Sequence, residues 1–290
     1  MNSHRKSLVS VLLPSYNHEQ YIQAAIESVY QQTYQNIELI VIDDGSTDKS
    51  VEILTNLQKK YGFVFLQQEN QGLIATLEKL GGLAKGEYIS LFSSDDVYHP
   101  EKIDVLVSYL ENNKQLAMVY SKIGLINSQS QSIEVIDEPY QEGDIFFKLL
   151  CGEFFINGLA TLVRSEVYFS HTRMNSYIDD FQFWLAIAKH HQIGFVDKVT
   201  AFYRIHNNHL SKNIIKMQKS ENEILMQYAE DEGFSVVMDE WNLRWFRAFA
   251  PCYKTIAIQK FFIKVLMSRK ILTLSFFKGV VRLFLPCRLK

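Results

Sequence analysis

The chain has 290 residues, 47% hydrophobic and 21% charged, with only five prolines and thirteen glycines. That describes a globular protein able to bury a core in one large domain, or one domain with a smaller appendage, and excludes disordered, collagen-like and low-complexity chains. The net charge of −2 hides an asymmetry: residues 251–290 hold nine Lys or Arg and no Asp or Glu, which leaves −11 for residues 1–250 and points the tail toward something anionic.

In chain order, the short apolar run Val9–Leu13 lacks a following small-residue cleavage site and reads as a first strand, not a signal peptide. Tyr21–Tyr30 has helical spacing, with Ile22, Ala25, Ile26 and Val29 on one face. Ile37–Ile42 is a second strand, broken by DDGSTD. A helix burying Val51, Leu54, Leu57 and Tyr61 follows, with Ser46 or Thr47 placed to cap it. Phe63–Leu66 is the third strand, Leu73–Leu83 the third helix and Tyr88–Phe92 the fourth strand, ended by SSDD. Pro100 suits the first turn of a helix carrying Ile103, Leu106, Val107 and Leu110. Ala117–Ser121 is a fifth strand, and the polar stretch Asn127–Glu142 a hairpin or loop. Beyond it come a helix near Ile145–Leu150, a strand near Ala160–Arg164, a helix from Asp179 to Lys189, and extended chain over Gly194–Tyr203. From Lys212 onward the pattern is mainly helical. No run reaches about eighteen apolar residues, so no membrane span is expected.

This alternation predicts an α/β fold built on a mostly parallel sheet. In such sheets ligands bind at the carboxyl ends of the strands. Those ends carry PSYN (Pro14–Asn17), DDGS (Asp43–Ser46) and SSDD (Ser93–Asp96), so three polar clusters should share one edge. An isolated Asp pair is an ordinary turn or cap. Two pairs at neighbouring strand ends repel unless a cation or donor satisfies them, and Mg²⁺ or Mn²⁺ held by a carboxylate and substrate phosphates would do so. The absence of Gly-x-Gly-x-x-Gly and Gly-Lys-Ser/Thr loops counts against NAD-binding and P-loop readings.

Residues 8–112 resemble the inverting family 2 glycosyltransferases of GT-A fold. The likeness is carried by LVSVLLPSYNHEQYIQAAIESVYQQTYQNIELIVIDDGSTDKS, by ENQG at 69–72, by LAKGEYISLFSSDD at 83–96, and by Pro100. It implies that Pro14, Tyr16 and Asn17 line a nucleoside pocket and that Asp44 binds a uracil-like base. It also implies that Asp95 touches the ribose and donor sugar while Asp96 ligates a divalent metal, Mn²⁺ or Mg²⁺. Ser93 stands where the family often has Asp, and Leu77–Glu78 where many members have Arg-Asn; Lys79 offers a nearby positive charge.

DDFQFWLAIA (Asp179–Ala188) resembles the family's Glu-Asp-x-Asp-Leu-Trp helix. The resemblance makes Asp180 the general base that deprotonates the acceptor hydroxyl, with Asp179 orienting it or the acceptor. An acidic cap favoured by the helix dipole is the simpler alternative for this pair. YRIHNNHLS (Tyr203–Ser211) resembles a Tyr-Arg-x-His segment, whose Arg204 and His206 could meet phosphate or metal; pairing of Arg204 with a carboxylate is the structural alternative. His18, His190, His191 and His209 read as surface or loop residues, Trp184 as core, and Asn157–Gly158 as a shaper of an acceptor pocket.

The tail from residue 254 alternates basic and bulky apolar residues, with Lys260/Lys264 and Lys278/Arg282 as i,i+4 pairs. That suits an interfacial helix on anionic lipid; a terminal helix pair docked on the catalytic domain is the competing reading, and nucleic acid is not an expected partner. Cys151, Cys252 and Cys287 are too far apart in sequence for a disulfide framework or zinc site and fit a reducing cytosol. The expected organisation is a donor-binding half over 1–120, an acceptor-binding half over 121–212 and a helical region over 213–290. The expected function is transfer of a sugar from a nucleotide diphosphate sugar, UDP-sugars favoured, to a glycan hydroxyl, the acceptor being lipid-linked in bacterial surface polysaccharide synthesis. The site would lie in the cytoplasm, at the inner face of the plasma membrane. An inactive nucleotide-sugar or glycan-binding protein of the same fold is the alternative.

Overall fold

The computed structural model describes residues 6–153, 155–171, 179–206, 213–268 and 270–285. Contacts divide the chain into two units, the first covering residues 1–145, 154–175 and 179–207.

The first unit is built on a nine-stranded sheet of order β3-β2-β1-β4-β8-β6-β9-β5, with β7 paired to β6. Its strands are β1 (Val9–Ser15), β2 (Ile37–Asp43), β3 (Val64–Gln67), β4 (Tyr88–Leu91), β5 (Val97–Tyr98), β6 (Met118–Ile126), β7 (Ser132–Val135), β8 (Thr161–Arg164) and β9 (Ile193–Arg204). The first four are mutually parallel, joined by α1 (Ile22–Tyr30), α2 (Ser50–Tyr61) and α3 (Leu73–Leu83). β1 lies between β2 and β4, and its near-continuous apolar run is buried from Val9 to Leu13, as a parallel strand covered on both faces requires.

After α4 (Lys102–Asn112) the pattern changes: β8 is antiparallel to β4 and β6, while β6 and β9 run parallel. The polar stretch Asn127–Glu142 contains β7, antiparallel to β6, so the expected hairpin is present. One local expectation fails. α2 starts at Ser50 with Lys49 at its cap and no side-chain cap bond, so neither Ser46 nor Thr47 caps it. The Ser46 hydroxyl instead donates to Asp43 Oδ2 at 2.7 Å, because the DDGS turn closes on itself before the helix begins.

The parallel register aligns Ser15 with Asp43 and Asp43 with Gln67. β4 ends two residues before Ser93. PSYN, DDGS, the Gln68–Gly72 loop and SSDD therefore leave the sheet at one edge, as the sequence predicts.

The second unit joins Phe146–Glu153, which holds α5 (Phe146–Leu150), to the described chain after residue 212. Its centre is α9 (Phe234–Phe249), which follows α8 (Ile214–Leu225) and buries Trp241, Trp245, Phe246 and Phe249. α6 (Ser165–Ser170) and α7 (Asp179–Ala188) belong to the first unit. The indoles of α9 find acceptors at Leu150 O and Glu221 Oε2, each 2.7 Å away, as buried Trp N–H groups require. Then come α10 (Lys254–Ile256), a π-helical stretch Ala257–Phe262, α11 (Ile263–Leu266) and α12 (Leu274–Phe284). Cys151 is a free thiol, but Cys252 is disulfide-bonded, against the expectation from spacing; linear separation says nothing about distance after folding. Cys287 and His209 lie outside the described residues. No helix among the described residues is long and apolar enough to cross a membrane.

Candidate active site

Asp44 follows β2 and is almost fully buried. Its Oδ1 accepts from Gln68 Nε2 and from the Gln71 amide, both at 2.8 Å, and its Oδ2 accepts from the Gly72 amide at 2.9 Å. Burial pushes its pKa up, but these hydrogen bonds outweigh it and hold the carboxyl below its ordinary value. Gln68, Thr76 and the Gln71 and Gly72 amides together account for about all four lone-pair sites of this carboxylate. Lys79 reaches this network through Gln68 Oε1 at 3.0 Å.

The loop after β1 is tied to the loop after β2. Asn17 takes φ +53°, where Asn is among the few side chains tolerated, and its Oδ1 accepts from the Thr47 amide at 2.8 Å. Pro14 pairs with Ile42 one residue before β1 ends at Ser15, and Tyr16, the next residue, is left 47% exposed, open to a planar ligand.

The SSDD loop presents its carboxylates differently. Asp96 is 1% exposed, and its Oδ1 accepts from the Arg204 amide at 2.8 Å. Burial, then the neighbouring Asp95 charge, push its pKa well above the ordinary carboxylate range, against the pull of Arg204. Asp95 is more open, and its Oδ2 lies 2.9 Å from His206 Nε2 and 3.9 Å from His18 Nε2. The ligand atoms of His18, Asp95 and His206 all lie within 4.8 Å of one another. Among the described residues this is the group of three that could hold a metal ion, and Asp96 is not a member.

Arg204 is buried at the end of β9. Its Nε donates to Asp95 O at 2.6 Å, and its Nη1 donates to Asn127 O at 2.8 Å and Ser130 Oγ at 2.9 Å. The guanidinium also lies 4.8 Å from the Tyr21 ring centre. The side chain therefore ties the SSDD loop to the turn between β6 and β7.

Asp180 stands on the first turn of α7, exposed, while Phe181, Phe183, Trp184, Leu185 and Ile187 bury the helix. Asp179 opens the same helix, and its side chain is outside the described residues. Tyr203, half-buried on β9, connects the two sides: burial, then the charges of Asp96, Asp95 and Asp180, push its phenol up to about 12. The SSDD loop and the head of α7 therefore both bear on this one phenol.

Residues 10–168 match the family model described as glycosyl transferase family 2. The chain belongs to that family. An uncharacterised glycosyltransferase of Haemophilus influenzae is 31% identical over 220 residues, 70% of this chain and 67% of the relative. Glycosyltransferase GlyG of Streptococcus pneumoniae is 42% identical over 106 residues, 36% of this chain and 35% of that protein. The chain spans only 33% of a longer Rickettsia felis relative. Among solved structures, S. aureus TarS 1–349 superposes with a TM-score of 0.65 at 17% identity, covering 94% of this chain and 81% of that one. A Pyrobaculum calidifontis mannosyltransferase, solved with GDP-Man and Mn²⁺, gives 0.57 at 12%, covering 97% and 88%. These likenesses show the GT-A fold expected of a family 2 member.

One residue escaped the sequence reading. His18, expected as a surface or loop residue, does lie in the loop after β1, but it is half-buried there with Nδ1 2.7 Å from Ser94 Oγ, and burial first of all lowers its pKa. The signal was in the sequence: His18 directly follows PSYN and so leaves the sheet at the same edge as Asn17.

Proposed function

We propose that this family 2 protein is an inverting glycosyltransferase taking its sugar from a nucleotide diphosphate donor, UDP-sugars foremost. The acceptor is a hydroxyl of a glycan, lipid-linked in surface polysaccharide assembly. Residues 1–120 form the donor half, 121–212 the acceptor half, and 213–290 a helical region that keeps the enzyme at the cytoplasmic face of the membrane. The observation carrying the reading is the grouping of Asp95 with His18 and His206, their ligand atoms within 4.8 Å of one another, at the strand-end edge of a family 2 fold.

Tyr16 stacks on the base, while Pro14 and Asn17 shape its pocket and Asp44 accepts a base N–H by exchanging one of its four internal donors for it. The donor diphosphate faces Asp95, His206 and His18. A carboxylate with two imidazoles suits a divalent ion that also needs phosphate oxygens, and imidazole ligation tilts the choice from Mg²⁺ toward Mn²⁺. When bound, such an ion neutralises the charge that builds on the leaving diphosphate. Asp96 and Arg204 hold the Asp95 loop from behind.

Asp180, open to water at the head of α7, takes the proton from the acceptor hydroxyl as its oxygen attacks the anomeric carbon. The glycosidic bond forms on the face opposite the departing diphosphate, and the configuration inverts. Asp179 orients the acceptor. Ser93 in place of an acidic residue favours a second reading, a donor-binding protein without turnover.

A thermal-shift panel of UDP-, GDP- and dTDP-sugars, with and without Mn²⁺, identifies the donor, because a ligand of the native state raises the melting temperature. Asp180→Asn is expected to keep that shift while losing at least a hundredfold in transfer. Asp95→Ala is expected to lose the Mn²⁺-dependent part of the shift. Donor binding without transfer in the parent protein would favour the second reading; transfer unaffected by Asp180→Asn would refute the role given to that residue.

A further inference from the structure

α12 presents two apolar faces, and only one of them is used. Phe276 and Gly279 are buried, and Phe276 stacks on Phe246 of α9 with ring centres 6.0 Å apart. The close approach depends on Gly279, where an added Cβ would stand 2.5 Å from the Phe246 ring. The docked face is therefore settled by packing against α9. At about 100° per residue, Leu274, Phe277, Val281 and Phe284 fall within an arc of about 80° away from that contact. These four side chains are 70%, 51%, 58% and 82% exposed. A soluble monomer has no reason to keep such a stripe dry-side out.

Basic groups border the stripe. Lys278 is exposed at its edge and Arg282 follows one turn on, with Arg247 of α9 packed beneath, its Nη1 3.5 Å from Ser275 Oγ. The strongly exposed Met267 and Leu272 precede the helix. Across residues 251–290 there is no Asp or Glu to set against nine Lys or Arg.

We propose that the outer face of α12 seats on an anionic lipid surface, with Leu274, Phe277, Val281 and Phe284 entering the acyl boundary and Lys278 meeting lipid phosphates. Charge decides the occupant. A second copy brought face to face would set like-charged tails against each other, whereas anionic headgroups complement both the apolar stripe and its basic border. A helix of this kind lies in the interface plane and does not cross it. The inference extends the lipid-linked-acceptor reading to a specific surface but is independent of the donor and metal assignments.

The test is co-sedimentation of the full chain with vesicles of phosphatidylcholine alone and of three parts phosphatidylcholine to one part phosphatidylglycerol, with analytical ultracentrifugation alongside. The parent is expected to partition at least tenfold more strongly to the anionic vesicles, with the preference falling as salt is raised. The pair Phe277→Asp and Phe284→Asp is expected to lose at least tenfold in partition while keeping the parent's melting temperature and donor-induced shift. Leu274→Ser with Val281→Ser probes the same arc by a milder change, should the first pair fail to fold. Lys278→Glu is expected to reduce the anionic preference alone. Absence of vesicle binding by the parent, or equal binding by parent and variants, overturns the proposal. So does a concentration-dependent dimer that Phe277→Asp with Phe284→Asp dissociates, since the face would then be a self-interface. Because the donor shift is read on the same samples, failure here is distinguishable from failure of the transferase reading.

Discussion

Replacing Arg204 by methionine tests the idea that this side chain is a strut for the donor loop. Arg204 is 1% exposed, and its guanidinium makes three hydrogen bonds to neutral oxygens of two separate loops. Hydrogen bonds from a charged donor contribute about 1.5–3 kcal/mol each, but they share one group, and its removal also relieves the burial of a charge. Methionine fills much of the volume and leaves Asp95 O, Asn127 O and Ser130 Oγ without this donor, so a net loss of about 3–5 kcal/mol is expected, measured by urea unfolding. That lies within the usual stability of a domain, so the variant should fold at low temperature. Transfer should fall by about a hundredfold as well, because a shift of about 1 Å in the Asp95 loop misplaces the groups that face the diphosphate. Arg204→Lys keeps the charge but cannot reach Asp95 O and the β6–β7 turn together, and should recover less than half of the stability. A methionine variant within about 1 kcal/mol of the parent, with normal turnover, would refute the strut.

Two further substitutions probe the framework behind the site. Gly45→Ala places a side chain where φ is +79° and sets its Cβ 2.8 Å from the Asn70 backbone nitrogen, next to the residues that hold Asp44. A loss of about 2–4 kcal/mol and a weaker donor-induced thermal shift are expected; stability within about 0.5 kcal/mol of the parent would mean the turn relaxes freely. Lys102 is fully buried, with Nζ 2.7 Å from Ser90 Oγ and 3.9 Å from the Tyr98 ring centre, and burial lowers its pKa well below the ordinary 10.5. The unfolded chain then holds more protons than the folded one between the depressed value and 10.5, so this lysine makes stability rise with pH in that window and fall as pH drops through it. Lys102→Met should flatten that slope in urea midpoints taken at neutral and alkaline pH, and should be neutral or stabilising at pH 7. An unchanged slope would show that the ammonium stays protonated against the ring.

The parallel part of the sheet was legible because its information is local. Val9–Leu13, Ile37–Ile42 and Tyr88–Phe92 are buried strand runs, and polar clusters after each must leave at the same edge of a parallel sheet. What each polar atom does there was not legible, since its partners come from far along the chain. Asp95 and Asp96 are adjacent and chemically identical, yet one faces two histidines and the other is buried under the Arg204 amide, 108 residues away. Asp44 is likewise occupied by amides from the Gln71–Gly72 turn, a segment the resemblance matched but to which residue spacing assigned no task.

The tail divides in the same way between local and distant information. Its charge bias was plain from composition, but a basic, aromatic helix reads alike whether it docks or faces lipid. Gly279 sets which face is turned out: the close contact it permits with Phe246 commits one face of α12 to α9, and the 3.6-residue repeat then dictates which four apolar side chains are left outside. The contact lies within the helical region itself, so it fixes the orientation of α12 and is not itself the docking on the catalytic domain that competes with the lipid contact proposed above.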